Sequence, residues 1–204
     1  MPQYLSLSRL TGPAVEPVTV AEAKSHLRVD TSDDDTLIGT YITAAREWCE
    51  AYLDRTLIHT QWRLRLERFP TDSQYPIPLP RPPVVSSGTA TAVSITYTHE
   101  SGSTATLSTA QFRVQRFETP GRVTTVYGGT WPASMEDNDA VQVTYWAGYG
   151  ATGSSVPAAI RHAILMLVAY WYENRSTVLV GSISKQLEFA VESLLSSQKW
   201  GGYQ

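Results

Sequence analysis

The chain has 204 residues, of which 42% are hydrophobic and 17% are charged, so it is long enough to build one or two packed cores. Its formal net charge of −3 argues against tight sequence-independent binding to DNA or RNA, which requires clustered lysine and arginine. The single cysteine cannot form an internal disulfide, and the first residues lack the basic and apolar regions of an export signal. We therefore expect a folded protein that is not exported.

The first 28 residues predict an extended arm followed by a short helix. Prolines and a glycine interrupt residues 1–18, a pattern typical of an extended N-terminal arm that packs on a neighbour. Thr19 and Glu22 then have the spacing of a capping box, in which each residue binds the backbone amide of the other. The spacing predicts a helix from residue 19 to about residue 27 or 28.

A second helix is predicted to begin in an acidic stretch. Asp30, Thr31 and Ser32 are good N-cap residues, and the aspartates at 33–35 would lie at the positive end of the helix dipole. Apolar side chains then recur at helical spacing as far as Leu53, and they include Cys49, which we expect to be a core residue. The stretch lacks the alternating oxygen ligands, central glycine and closing glutamate of a calcium-binding loop.

The middle of the chain predicts a β domain. Apolar and polar residues alternate from Leu57 to Glu67, which indicates a strand. Five prolines in residues 75–84 predict a rigid edge segment, with a proline-rich ligand for another domain as the alternative. Further strands are predicted at 93–97, 104–107, 112–115, 122–126 and 141–145, with turns between them. Residues 57–147 are therefore predicted to form an inserted antiparallel β domain.

The stretch from Val156 to Arg175 predicts a central helix. Ser154 and Ser155 offer capping hydroxyls, Pro157 suits the first turn, and residues 163–172 are ten consecutive apolar or aromatic residues. A helix that is apolar nearly all round needs more than one covering neighbour, either from this chain or from other copies of it. The run is shorter than the roughly 20 residues that span a bilayer, so no membrane segment is predicted.

A last helix is predicted from about residue 184 to residue 196, followed by a flexible tail. The tail, residues 197–204, carries Trp200 and Tyr203 on either side of two glycines. Exposed aromatic residues on a mobile tail are good anchors for a partner pocket, and a disordered terminus is the alternative. The predicted fold class is α+β: residues 19–56 and 154–196 form a small helical bundle, into which the β domain is inserted.

Motifs for catalysis or for metal binding are missing from the sequence. The four histidines are scattered, and no cysteine and histidine pair has metal-ligand spacing. The sequence also lacks a phosphate-binding glycine loop after a strand and a nucleophile elbow. We therefore predict no metal, no cofactor and no enzymatic activity, although an unrecognised hydrolase stays open as an alternative.

Arginines of the β domain suggest a second alternative, a nucleic-acid-binding module. The residues concerned are Arg63, Arg65, Arg68 and Arg81, with the aromatic residues Trp62 and Phe69. Trp62 alternates onto the opposite face of its strand from Arg63 and Arg65. A solvated arginine face over an apolar core is therefore the favoured interpretation.

Several segments occur in an order that resembles a known family. They are Pro17-Val-Thr-Val-Ala-Glu-Ala-Lys, Tyr41-Ile-Thr-Ala-Ala-Arg-Glu-Trp-Cys-Glu, Leu79-Pro-Arg-Pro-Pro, Ala147-Gly-Tyr-Gly, and Val156-Pro-Ala-Ala-Ile with Glu173-Asn-Arg. The layout resembles the head–tail connector proteins, also called adaptor or head-completion proteins, of long-tailed bacteriophages and gene transfer agents. It is similar to their longer form, which has a β insertion, over nearly the whole chain.

The resemblance implies a structural protein of the virion neck at the capsid vertex, made in the host cytoplasm and without enzymatic activity. It implies a homo-oligomeric ring, expected to be a dodecamer, that binds the portal protein and a stopper or tail-terminator protein. DNA would pass through this ring without sequence-specific binding. The expected portal-binding residues are Leu187, Val191, Leu194, Leu195, Trp200 and Tyr203. The expected residues of the ring interface or core helix are Ile160, Ile164, Leu167, Val168 and Trp171.

Overall fold

The computed structural model describes residues 4–72, 75–85, 93–117, 119–175, 185–196 and 198–199. These residues form four α-helices and two antiparallel sheets, which confirms the predicted α+β class. The chain divides into two units, each built from two separate segments. Met1–Gly12 and His59–Gly148 form the first, here called the β unit, and Pro13–Ile58 and Tyr149–Gln204 form the second, the helical unit.

The helical unit contains α1 (Val20–Leu27), α2 (Asp35–Leu53), α3 (Ala158–Glu173) and α4 (Lys185–Ser196). The capping box predicted for α1 is confirmed. The backbone N–H of Glu22 donates to Thr19 Oγ1 at 3.2 Å, and the backbone N–H of Thr19 donates to Glu22 Oε2 at 2.8 Å. These two bonds satisfy amides that the first helical turn leaves without partners.

The second helix begins later than the sequence predicted. Its N-cap is Asp34 rather than one of residues 30–32, and α2 starts at Asp35. The carboxylate of Asp34 accepts hydrogen bonds from Tyr172 Oη and Arg175 Nη2, each at 2.7 Å, instead of capping its own helix. These two partners lie at the end of α3, far from Asp34 in the sequence, so the local sequence could not indicate that they occupy its carboxylate.

One continuous apolar core holds the helical unit together, and α2 and α3 each supply six of its buried residues. Ile38, Ile42 and Cys49 of α2 are at most 1% exposed and belong to the same buried cluster as the inner face of α3. Val191 and Leu195 of α4 complete it. Burial of aliphatic side chains at about 25 cal/mol per Å² is the main stabilising contribution of such a core.

The β unit contains eight strands in the described part of the chain. They are β1 (Tyr4–Thr11), β2 (Thr60–Leu66), β3 (Ile77–Leu79), β4 (Ser94–Thr98), β5 (Thr104–Thr106), β6 (Phe112–Gln115), β7 (Gly121–Thr125) and β8 (Val141–Ala147). One sheet has the order β1-β2-β8-β4-β5, and the other has the order β3-β7-β6. The inward residues of β8, Val141, Val143 and Tyr145, are fully buried, as the alternation in the sequence predicts.

Within the predicted N-terminal arm, residues 1–18, the segment Tyr4–Thr11 is the strand β1 of this unit. β1 pairs antiparallel with β2, with Leu7 opposite Leu64. Two register shifts, between Tyr4 and Ser6 and between Arg9 and Thr11, interrupt the pairing. Because β-bulges break the period-two pattern, the alternation in this segment is too short to stand out from the flanking prolines.

The proline-rich segment forms an edge of the three-stranded sheet, which confirms the prediction of a rigid edge segment. β3 lies at the end of the order and pairs only with β7 among the described strands. Ile77 and Leu79 point into the core and are fully buried. Beyond β3, the hydroxyl of Tyr145 donates to the carbonyl oxygen of Pro80 at 2.6 Å, which satisfies a deeply buried polar group.

Candidate partner interfaces

The inner face of α3 is occupied by the chain's own core. The five residues expected at the ring interface or in the core helix, Ile160, Ile164, Leu167, Val168 and Trp171, are 0–2% exposed. Their side chains therefore pack within this chain and offer no surface to a neighbour. Four further apolar side chains of this helix are partly buried and lie away from the inner face: Leu165, Met166, Ala169 and Tyr170. We name these four residues the outer stripe of α3. Leu165, Met166 and Tyr170 also pack in part against the helical core.

The last helix shows a similar division. Val191 and Leu195, both expected to bind a partner, are fully buried in the helical core, and Leu187 and Leu194 are half-buried against it. Phe189, on the other side of α4, is 75% exposed. The sequence analysis did not select Phe189, although its place among polar positions of the helical pattern was the available signal. Trp200 and Tyr203 lie outside the described residues.

The end of α4 is held near α2. Lys199 Nζ lies 4.6 Å from the centroid of the Tyr52 ring, and the rings of Tyr52 and Trp48 stack with centroids 5.5 Å apart. A cation over an aromatic ring contributes about 0.5–1 kcal/mol at an exposed site. The segment that leads into the C-terminal tail therefore starts from a defined position on the helical unit.

A charged cluster lies at the C-terminal end of α3. Arg175 Nη2 and Tyr172 Oη donate to the Asp34 carboxylate, and the Arg175 guanidinium lies 4.0 Å from the Tyr172 ring centroid. These hydrogen bonds, from Arg175 first and Tyr172 second, lower the pKa of Asp34. The same hydrogen bond to Asp34 raises the pKa of Tyr172. The cluster ties the end of α3 to Asp34, the N-cap residue of α2.

A second charged cluster of the helical unit is built around a buried arginine. Arg46 of α2 is 3% exposed and donates to Glu16 and Glu50 at 2.8 Å each, with Glu47 at 3.4 Å. Burial alone would lower the pKa of Arg46, but the charges of Glu16 and Glu50 outweigh it and raise that pKa. Glu50 also accepts the backbone N–H of Leu57 at 2.9 Å. This cluster ties the segment before α1 to α2.

Two arginines of the β unit that could contact nucleic acid already form ion pairs within the chain. Arg65 Nε lies 3.2 Å from Asp139 Oδ1, an ion pair without hydrogen-bond alignment, and Arg68 pairs with Glu136. Because Arg65 and Arg68 already pair with carboxylates, these carboxylates compete with nucleic-acid phosphates for the two guanidinium groups.

The aromatic residues of the same alternative also fail to provide a stacking platform. Phe69 is buried against Trp131, and Trp62 lies on the side of β2 opposite Arg63 and Arg65, with the guanidinium of Arg81 6.0 Å from its ring centroid. The solvated arginine face favoured by the sequence therefore agrees with the structure better than a nucleic-acid interface does.

Two aromatic residues of the β unit are almost completely exposed, and the sequence analysis missed both. Phe117, after β6, is 97% exposed, and Tyr127, after β7, is fully exposed. They lie near opposite ends of the β6–β7 hairpin, because Phe112 pairs with Thr125 and Gln115 with Arg122. Phe117 lies between Arg116 and Glu118, and Tyr127 lies between the end of a predicted strand and Gly128, which was the only sequence signal.

Other site types find no support in the described part of the chain. Its His, Cys, Asp and Glu side chains form no group of three that could hold a metal ion. Within the same residues, no helix is long and apolar enough to cross a membrane. Cys49 is fully buried, and burial raises the pKa of its thiol to about 12, so it is an unreactive core residue in the folded chain.

The chain belongs to the head completion protein family, whose family model matches residues 16–184. No curated protein matches the chain significantly.

Three solved structures share its fold. The first is a neck chain of an empty gene transfer agent (GTA) particle computed with C6 symmetry, with 22% identity and a TM-score of 0.75. The second is a chain of the virion of a native GTA particle, with 22% identity and a TM-score of 0.74. The third is a neck chain of a native GTA particle computed with C12 symmetry, with 21% identity and a TM-score of 0.72. Each match covers 98% of both chains.

Proposed function

We propose that this chain is a structural, non-enzymatic protein of the neck that joins the head of a phage-like particle to its tail. The observation that carries the proposal is the agreement in fold with a GTA neck chain over 98% of both chains, within the head completion protein family. In this role the helical unit is the connector domain, and most of the β unit is an insertion between α2 and α3.

The chain works as a member of a ring, which we place at twelve copies. The outer stripe of α3 supports this proposal, because it presents partly exposed apolar side chains of the kind that a neighbouring copy buries. A heterologous contact of this type closes into a ring and covers the stripe once in every copy. The inner face of α3 serves the fold of each copy, and the outer stripe serves the assembly.

The portal protein docks on the exposed side of α4 and on the tail. Phe189 supports this assignment, because a 75% exposed aromatic residue on an amphipathic helix is a typical interface anchor. Trp200 and Tyr203 are the further anchors, and the stopper or tail-terminator protein binds elsewhere on the ring. Leu187 and Leu194 flank the contact, and Val191 and Leu195 hold α4 in place from below.

DNA passes through the ring without being bound by sequence. The formal net charge of −3 supports this part of the proposal, since a strongly basic lining would hold the phosphates of DNA that has to slide.

Light scattering tests the proposal directly. The mass of the purified protein is measured alone and after mixing with the portal protein from the same genome. A ring, or a complex with many copies of this chain per portal, is the expected result. A monomer that ignores the portal at both low and high salt would overturn the proposal; a monomer that assembles only on the portal would not.

Two sets of variants assign the surfaces. Met166→Lys in the outer stripe is expected to prevent ring formation, and Tyr127→Ser, which removes an exposed aromatic residue from the β unit, serves as the control. Phe189→Ser and deletion of residues 197–204 are expected to weaken portal binding while leaving the circular dichroism spectrum unchanged. Unchanged portal binding by both of these variants would remove α4 and the tail from the portal interface.

A further inference from the structure

Two histidines of the helical unit lie against each other on its surface, and the neck role does not use them. His26 of α1 and His162 of α3 are both exposed, and their ring centroids are 6.2 Å apart. Histidine is the commonest metal ligand in proteins, through either ring nitrogen of the neutral imidazole. Because these two histidines are far apart in the sequence, their spacing could not indicate that the fold brings them together.

The arrangement of the two rings allows both to bind one ion. Zinc–nitrogen bonds of about 2.0–2.1 Å place the ion roughly 3.2 Å from each ring centroid, so the centroids of two bound histidines are at most about 6.4 Å apart. The observed separation is within this limit. The ring planes are 89° apart and therefore intersect, whereas the in-plane lone pairs of two parallel stacked rings do not meet at one point. Both side chains are exposed, so each can rotate to turn a ring nitrogen toward a shared ion.

Neighbouring contacts hold the two histidine-bearing helices together. Arg161, the residue before His162, pairs with Glu22, which lies one helical turn before His26. The Nε–H of Arg161 also donates to the carbonyl oxygen of Pro17 at 3.0 Å. The ion pair balances the positive charge of Arg161, which would otherwise repel a cation beside His162. A separation that is already set before binding lowers the entropic cost of bringing two ligands to one ion.

The ligand type selects a transition metal rather than magnesium or calcium. Imidazole nitrogen suits Zn²⁺, Ni²⁺ and Cu²⁺, whereas Mg²⁺ and Ca²⁺ take oxygen ligands. The described part of the chain has no group of three such side chains, so two histidines are the whole protein contribution and water completes the coordination. We therefore expect reversible binding rather than a permanent structural site.

We propose that His26 and His162 together bind one divalent transition-metal ion per chain, and that this ion clamps α1 onto α3. Both ligands come from a single copy, so the site forms without a ring, a portal protein or any other partner. The two rings meet in the folded chain and not in the unfolded one. Binding of the ion therefore stabilises the folded helical unit.

The test uses the untagged full-length protein, because a histidine tag would add a competing site. Isothermal titration with ZnCl₂ near neutral pH is expected to show saturable binding of one ion per chain, and CuCl₂ is expected to bind more tightly. MgCl₂ is the control for non-specific binding to carboxylates, and it is expected to give no comparable signal. Zinc should also raise the urea concentration at the midpoint of unfolding.

Matched variants assign the zinc site to the two histidines. His26→Gln and His162→Gln, both at exposed positions, are each expected to weaken zinc binding at least about tenfold and to abolish the stabilisation by zinc. His99→Gln removes a histidine from the β unit and should leave both results unchanged. Without zinc, the two helical variants should unfold at the same urea concentration as the wild type, which shows that the fold is intact.

Three outcomes would overturn the proposal. The first is the absence of saturable zinc binding, or an equal response to MgCl₂. The second is wild-type zinc affinity in the double variant His26→Gln with His162→Gln. The third is a zinc-dependent rise in mass by light scattering, lost in the double variant, because the ion would then bridge two copies instead of clamping α1 onto α3 within one.

Discussion

Arg46 of the helical unit and two arginines of the β unit pair with carboxylates in opposite ways. In the helical unit, Arg46 is 3% exposed and bonds to carboxylates contributed by two separate segments of the chain. In the β unit, the side chains of Arg65 and Arg68 are 24% and 42% exposed, and each pairs with one carboxylate at the surface. Removal of one member of a buried ion group leaves the other members charged, buried and unpaired, whereas loss of a surface pair costs little. The Arg46 pairs are therefore structural, and the Arg65 and Arg68 pairs are replaceable.

The aromatic residues show the same contrast. Tyr41 and Trp171 of the helical unit are buried and lie with their ring centroids 6.2 Å apart. Phe117 and Tyr127 of the β unit are almost completely exposed. The β unit thus displays these two aromatic side chains almost completely, whereas the most exposed aromatic side chain described in the helical unit, Phe189, is 75% exposed.

Core truncations are expected to have the largest effect, and they test whether the contrast is confined to polar and surface groups. Leu167→Ala in α3 and Ile95→Ala in β4 each empty a fully buried position and should each reduce the free energy of unfolding by about 2–5 kcal/mol. Urea unfolding measured by circular dichroism gives these values. Leu167→Met, which conserves volume, is the control and should cost less than about 1.5 kcal/mol. A loss below about 1 kcal/mol in only one unit would show that its core is loosely packed.

Removal of Arg46 or of Arg65 tests the contrast between the buried and the surface ion pairs. Arg46→Ala is expected to cost about 3 kcal/mol, at the lower end for a broken buried pair because Glu16 is 29% exposed. Arg65→Ala should cost at most about 1 kcal/mol. Alkylation of the single cysteine, Cys49, reports opening of the helical unit, and it should become faster in Arg46→Ala and stay unchanged in Arg65→Ala. Equal losses in the two variants would contradict the contrast drawn above.

The capping box of α1 should have a smaller effect. Thr19→Ala removes the oxygen that accepts the N–H of Glu22, and the expected loss is about 1 kcal/mol in the free energy of unfolding. Thr19→Ser keeps the hydroxyl and is the matched control. If alanine and serine behave alike in urea unfolding, the hydroxyl does not stabilise the helix.

The Asp34 cluster predicts the smallest effect, a change in the pH dependence of stability. Hydrogen bonds from Arg175 and Tyr172 lower the pKa of Asp34 in the folded state, so the ionised form stabilises the fold. This stabilisation is present above the pKa of the unfolded chain, about 4, and is lost as the pH falls through the lower folded pKa. Asp34→Asn should therefore flatten the decline of stability below about pH 4. Asp33→Asn, at the exposed neighbouring position, should retain the wild-type slope.

Local features of the fold were predictable from the sequence, because their causes lie within a few residues. The Thr19 and Glu22 cap, the edge position of the proline segment and the positions of most strands follow from spacing, missing amide donors and alternation. The α+β class followed from the same patterns.

Long-range pairing was not predictable in this way. Ser8 and Arg65 are 57 residues apart, and Asp34 and Tyr172 are 138 residues apart, so no local pattern shows that they meet. The residues of the candidate interfaces were the hardest to predict. Helical periodicity selected Val191 and Leu195 as an apolar face, but it could not show that the chain's own core already covers that face.

The pairing of β1 with β2 has a practical consequence for how the protein is handled. The family model begins at residue 16, so a chain trimmed to the shared region would lack β1 and would turn β2 into an edge strand. The unpaired N–H and C=O groups along β2 would then invite strands from other molecules, which is a common route to aggregation. Tyr4–Thr11 thus cover this edge of β2, and shortened versions of this protein should keep them.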